Sequence, residues 1–99
     1  MNISKTQEGG RTILAVEGKI STTTSQQLGD ALIPAFDEAT DVVLDFSEVA
    51  YIASAGLRVI FTGYEAANAK GAKMTLRGVS EDVMEVFEMK GFSEFLEFE

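Results

Sequence analysis

The sequence predicts an α/β fold, a single domain over residues 1–99 with a four- or five-stranded mixed β-sheet and about three main α-helices. Three observations predict it. Apolar segments of strand length alternate with amphipathic segments of helical period along most of the 99 residues. The run Val42-Val43-Leu44 is continuously apolar, as suits a central strand covered on both faces. An opening pair of strands gives way to single strands separated by helices, and that alternation implies right-handed crossovers and a mostly parallel sheet.

Each element has its own signal. Ile3 to Thr6 reads as a short first strand, and Glu8-Gly9-Gly10 as a hairpin turn. Arg11 to Glu17 is rich in β-branched residues and forms the second strand, which Gly18 ends. The polar cluster Ser21-Thr22-Thr23-Thr24-Ser25 is full of capping residues. Leu28, Leu32, Ala35 and Phe36 follow at helical spacing, so the first helix spans about 23–38. Pro34 removes a backbone donor inside it and is expected to kink or split it. Asp41 to Phe46 is the third strand, followed by a short loop. The second helix runs from about Ala55 to Ala69 with Leu57, Ile60, Phe61 and Tyr64 on one face and Ala67 or Asn68 extending it, and Gly71 caps it. Lys73 to Arg77 is the fourth strand. Ser80 caps a third helix to about Lys90, with Val83, Val86 and Phe87 inward and Gly91 at its end. The tail from Phe92 to Glu99 is expected to form a last strand or an extended arm.

Composition excludes several function classes. There is no cysteine, hence no disulfide, thiol nucleophile or thiolate metal site. There is no histidine, the commonest general base and metal ligand. The carboxylates have no spacing like a calcium-binding loop, so neither metal nor cofactor is expected. The formal net charge of −8 disfavours nucleic acid and anionic membranes as partners. No apolar run approaches the roughly 20 residues of a membrane span. Met1 to Lys5 lacks the regions of a signal peptide, and a cytoplasmic location is expected.

Ser54 carries the chemistry. It stands where an apolar strand and a short loop give way to a helix, which puts its hydroxyl at the positive end of that helix, where a phosphate is favoured. Three roles are open to it. As a nucleophile it lacks a histidine base, and Ala53-Ser54-Ala55-Gly56 is no Gly-x-Ser-x-Gly elbow, so catalysis is disfavoured. As an N-cap it would contribute about 1 kcal/mol and nothing more. As a phosphoacceptor it has small neighbours, Ala53, Ala55 and Gly56, over which another protein's active site can close.

The stretch from Val42 to Ile60 resembles the signature of the STAS domain family, the bacterial anti-sigma factor antagonists. That signature is an apolar strand, Asp-(Leu/Phe)-Ser, a short loop, and Asp-Ser-(Ser/Thr)-Gly-Leu opening a helix. Asp45-Phe46-Ser47 matches its first part and Ser54-Ala55-Gly56-Leu57 its second. Gly18 and Val86-Phe87…Gly91-Phe92 extend the match over nearly the whole chain. The resemblance implies a STAS-like fold with Ser54 as phosphoacceptor and no enzymatic activity. It implies as partners an anti-sigma factor that is also a serine-protein kinase, which binds the unmodified form, and a metal-dependent serine phosphatase that restores it. Two positions depart from the pattern, Ala53 and Ser21 standing where the family often has acidic residues. They favour the alternative of a non-cycling STAS scaffold or small-ligand-binding domain. Ser21, Thr22, Ala53, Ala55, Gly56, Arg58, Val59 and Thr62 are the expected partner-binding surface, Arg58 as a holder of a phosphate or a partner carboxylate and Val59 and Thr62 as residues off the core stripe.

Overall fold

The computed structural model describes residues 1–99. Its strands are β1 (Asn2–Glu8), β2 (Arg11–Ile20), β3 (Asp41–Ile52), β4 (Lys73–Arg77) and β5 (Glu97–Phe98). Its helices are α1 (Ser25–Glu38), α2 (Ser54–Lys70) and α3 (Glu81–Met89), with one 3₁₀ turn at Phe92–Glu94. The sheet is five-stranded and mixed, in the order β1-β2-β3-β4-β5. β1 and β2 form an antiparallel hairpin, and the other pairs are parallel. The expected fold class is the one observed, and the tail supplies the fifth strand.

Three strands are longer than expected: β1 takes in Asn2 and runs on to Glu8, and two others extend further. β2 continues through Gly18 to Ile20, and β3 continues past Phe46 to Ile52. The register explains why. Ala15 pairs with Asp45 but Glu17 with Glu48, and Gly18 with Val49 but Lys19 with Tyr51, so β3 holds one extra residue at each step. Each extra residue is a bulge that breaks the two-residue alternation. Buried positions then fall at Phe46, Val49 and Ile52, three apart, a spacing that does not read as a strand. Gly18 sits among these irregularities at φ +117°, a backbone conformation that residues with a β-carbon rarely adopt.

The helix forecast needs smaller corrections. Helix α1 starts at Ser25, with Thr24 as its cap residue, and runs unbroken through Pro34. Pro34 is exposed, and so is Asp30, the residue whose carbonyl it leaves without a donor. Phe61 is 40% exposed and so is not a core residue, while Gly56, Leu57, Ile60, Gly63 and Ala67 form the buried stripe of α2. Ser80 caps α3 as expected, its hydroxyl accepting a hydrogen bond from the Val83 N–H at 3.2 Å.

The three helices and the sheet share one core of twenty buried residues, in which Leu14, Leu44 and Leu76 lie side by side in register on β2, β3 and β4. Helix α3 docks on β3 through Phe46 and Phe87, whose rings stack at 6.5 Å. Helices α1 and α2 touch through glycines. A β-carbon on Gly63 would overlap Leu32, and Gly29 lies against Val59. Buried Ile13 and Val43 lie outside this core, paired in register with each other and with Thr75. The continuous apolar run of β3 is therefore covered on its second face by side chains of the sheet itself. Arg11 pairs with Asp41 at 3.4 Å and with Glu99 at 2.8 Å, and Arg77 pairs with the same Glu99 at 2.9 Å and with Glu8 at 3.6 Å. These residues share the strand parity of Ile13 and Val43, and the Arg11–Glu99 pair crosses diagonally over the strands between. Hydrogen bonds from the two guanidinium groups hold the Glu99 carboxyl below the usual carboxylate range.

Candidate functional site

The parallel ends of β2 and β3 set the position of Ser54. Ile20 pairs with Ile52, and the Ala53 N–H donates to the Ile20 carbonyl at 2.8 Å. Ala53 is extended (φ −88°, ψ 168°) and its carbonyl accepts from the N–H groups of Gly56 at 2.9 Å and Leu57 at 3.1 Å. Ala53, not Ser54, is therefore the N-cap of α2, and no side chain caps this helix. Ser54 is the first helical residue and is exposed. The reading of Ser54 as a simple cap is corrected by one position. The cap is an alanine, so first-turn amides lack the side-chain acceptor that Ser80 gives to α3.

Gly56 lets the helix sit this close to the sheet. A β-carbon there would come within 2.6 Å of Ile20 and 2.8 Å of Ile52, the last residues of both strands. Gly56 is buried, so it supports the site from beneath. The polar cluster after β2 closes on itself. The Ser21 N–H donates to Thr24 Oγ1 at 2.7 Å, the Thr24 N–H donates to Ser21 Oγ at 3.2 Å, and Thr24 Oγ1 donates to the Lys19 carbonyl at 2.8 Å. This knot holds Ser21 half-buried where β2 leaves Ile20, the residue bonded to Ala53, and leaves Thr22 exposed.

Two shallow grooves flank the start of α2. The first, of about 370 Å³, runs between α1 and α2 and is lined by Thr22, Ala55, Arg58, Val59 and Thr62 among others. Val59 is half-buried against Gly29, and Thr62 is exposed with its hydroxyl donating to the Arg58 carbonyl at 3.0 Å. The second, of about 390 Å³, lies on the other side and contains Ser54 itself, with Leu57, Arg58, Phe61, Lys90, Phe92 and Phe95. Arg58 lines both grooves. The fold thus gathers the residues singled out from the sequence at one end of the sheet. Lys90, Phe61, Phe92 and Phe95 were not singled out. The signal for them was weak, since Phe61 follows Leu57 at helical spacing and reads as core, and the other three lie about thirty residues downstream.

The family model described as "STAS domain" matches residues 2–99. The chain belongs to the STAS domain family. BtrV of Bordetella bronchiseptica, a protein assigned as an anti-sigma factor antagonist, is 30% identical to this STAS chain over 93 residues, covering 93% of it and 80% of BtrV. The anti-sigma-B factor antagonist of Listeria monocytogenes is 28% identical over 101 residues, covering 98% of the chain and 89% of the relative. Among solved structures, an anti-sigma factor antagonist from Mycobacterium paratuberculosis superposes with a TM-score of 0.87 at 18% identity, covering 98% of the chain and 83% of its own. The Bacillus cell fate determinant SpoIIAA in its phosphorylated form superposes with a TM-score of 0.75 at 13% identity, covering 99% and 91%. At these identities the superpositions establish the fold of the STAS chain, a five-stranded mixed sheet with three helices.

Proposed function

We propose that this STAS chain is an anti-sigma factor antagonist switched by phosphorylation of Ser54. The unmodified protein binds an anti-sigma factor that is also a serine kinase, in the cytoplasm. That kinase phosphorylates Ser54 and releases the protein, and a metal-dependent serine phosphatase restores it. The observation that carries this reading is an exposed serine at the first position of α2, a helix start without a side-chain cap and with a groove on each side. The curated relatives named anti-sigma factor antagonists, and SpoIIAA solved in unphosphorylated and phosphorylated forms, support it.

The physical mechanism is charge at a docking surface. A phosphate on Ser54 adds about −1.5 to −2 charges beside the amide end of a helix. The helix start tolerates the anion, because its first-turn amides are free of side-chain caps. A partner resting on the same few residues does not, because it must accommodate the phosphate's volume and its hydration. The chain is the substrate of this cycle, since Ser54 has no base within its own sequence neighbourhood and the protein has no histidine.

The test has two arms. Incubation with the cognate kinase and ATP is expected to add one phosphate, localised to Ser54 by mass spectrometry. Ser54→Asp is expected to weaken the kinase complex roughly tenfold or more, about 1.4 kcal/mol, while Ser54→Ala binds like wild type. Wild-type affinity for Ser54→Asp together with no phosphate on Ser54 would sink the switch. That outcome would favour a non-cycling scaffold or small-ligand-binding domain, the reading that Ala53 and Ser21 favour by lacking the family's acidic side chains.

A further inference from the structure

The eight lysines and arginines carry the chain's positive side chains. Five are held in ion pairs: Lys5 with Glu38, Arg11 with Asp41 and Glu99, Lys70 with Asp37, Lys73 with Glu97, and Arg77 with Glu8 and Glu99. The three left are Lys19, Arg58 and Lys90. Two of those three line the groove that contains Ser54. Between them lies an aromatic floor. Phe61 is edge-on to Phe95 with centroids at 5.6 Å and tilted against Phe92 at 6.3 Å, so the rings hold one another in place while Phe61 stays 40% exposed. In a chain of net charge −8, this open apolar groove is lined by two unpaired cations and no carboxylate.

We propose that this groove docks an acidic amphipathic segment of the partner protein. Its apolar side chains rest on Phe61, Phe92 and Phe95, and its carboxylates meet Arg58 and Lys90. Charge complementarity selects that occupant. A basic segment would be drawn to the acidic surface elsewhere and repelled here, whereas an acidic one is repelled elsewhere and accepted here. Aromatic and arginine side chains are also the groups that concentrate binding energy at interfaces. The regulatory half of this inference rests on the Ser54 reading. Phosphate on Ser54, within the same groove, supplies Arg58 and Lys90 with an anion of the chain's own, which displaces the partner's carboxylates.

The probes are two synthetic peptides that share a leucine and phenylalanine stripe at helical spacing, one flanked by glutamates and one by lysines. Each is titrated into the full-length, ¹⁵N-labelled protein at low salt. The glutamate peptide is expected to shift the amides of Ser54, Leu57, Arg58, Phe61, Lys90 and Phe92, and to bind there roughly tenfold tighter than the lysine peptide. The double variant Arg58→Glu/Lys90→Glu is expected to reverse that preference. Both cations are exposed and unpaired, so the variant keeps the fold, which circular dichroism checks. Phe61→Ser is expected to weaken both peptides. Equal binding of the two peptides at these amides, shifts confined to another face, or no binding by either overturns the proposal. Phosphate incorporation at Ser54 is measured separately. Docking without phosphorylation keeps the groove and removes the switch, and phosphorylation without docking does the reverse.

Discussion

Ser54 and Ser80 both stand at helix starts, yet the structure gives their hydroxyls different work. Ser80 is extended at the N-cap of α3 and its hydroxyl accepts the Val83 N–H. Ser54 lies one residue inside α2, and the cap position is held by Ala53. Truncation separates them. Ser80→Ala is expected to lower unfolding free energy by about 1 kcal/mol, the usual cost of a lost cap. Ser54→Ala is expected to change it by less than about 0.5 kcal/mol, as for a surface position without a structural partner. Urea denaturation of the two variants measures both values, and an equal loss would mean that Ser54 serves the fold. The same geometry gives meaning to the residue before it. Position 53 is the N-cap, where a carboxylate would bond first-turn amides and lie beside the positive end of the helix. With alanine there, Ser54 has no neighbouring carboxylate at that position.

Helix α2 is the element on which the site depends, and its two buried glycines seat it. Gly56 meets the ends of β2 and β3, and Gly63 meets Leu32 of α1. A methyl group at either position forces apart surfaces already in contact. Gly56→Ala is expected to destabilise by about 1–3 kcal/mol despite alanine's better helix propensity, because overpacking outweighs it. Thermal unfolding tests this, and a stabilised Gly56→Ala would show that the helix has room to move away from Ile20. The helical period of α2 was legible in the sequence, and so were Leu57, Ile60 and Ala67 on its buried face, but the exposure of Phe61 and the part played by the glycines were not. Leu57, Ile60, Phe61 and Tyr64 suggest a bulky stripe, whereas the packed stripe runs through the glycines and leaves Phe61 for the groove. Side-chain size is a poor guide where backbones approach closely, because the smallest residue makes the nearest contact.

Across the whole molecule, the two faces of the sheet are closed by different forces. One is covered by α1, α2 and α3. On the other, Ile13 and Val43 are buried on the face whose strand positions also carry the ion-paired Arg11, Arg77, Asp41, Glu8 and Glu99. Glu99 is the node, because both arginines hold it. Its carboxyl is depressed in the folded protein by hydrogen bonds to Arg11 and Arg77. A depressed carboxylate stabilises the folded state above its unfolded pKa, and that contribution is lost as pH falls through the folded value. Wild type is therefore expected to lose stability on acidification through and below the ordinary carboxylate range more steeply than Glu99→Gln. Denaturation midpoints measured across that range check the difference, and parallel curves would show that the node contributes no pH dependence.

Element order, fold class and the segment around Ser54 were determined by the sequence alone. They rest on short-range signals such as apolar period, turn and cap residues, and the Asp45-Phe46-Ser47…Ser54-Ala55-Gly56-Leu57 pattern, each contained within a few residues. Only the tertiary structure decided the length of β3, the N-cap of α2, the covering of the sheet's second face and the groove that joins Ser54 to Lys90 and Phe95. Each of these depends on a partner distant in sequence. The bulges of β3 exist only in register with β2, Ala53 is fixed by Ile20, Val43 is buried by its neighbours across the sheet, and Lys90 reaches the site because α3 docks on β3 through Phe87. A pattern of residue types records which side chains a segment offers, and long-range pairing decides which of them meet.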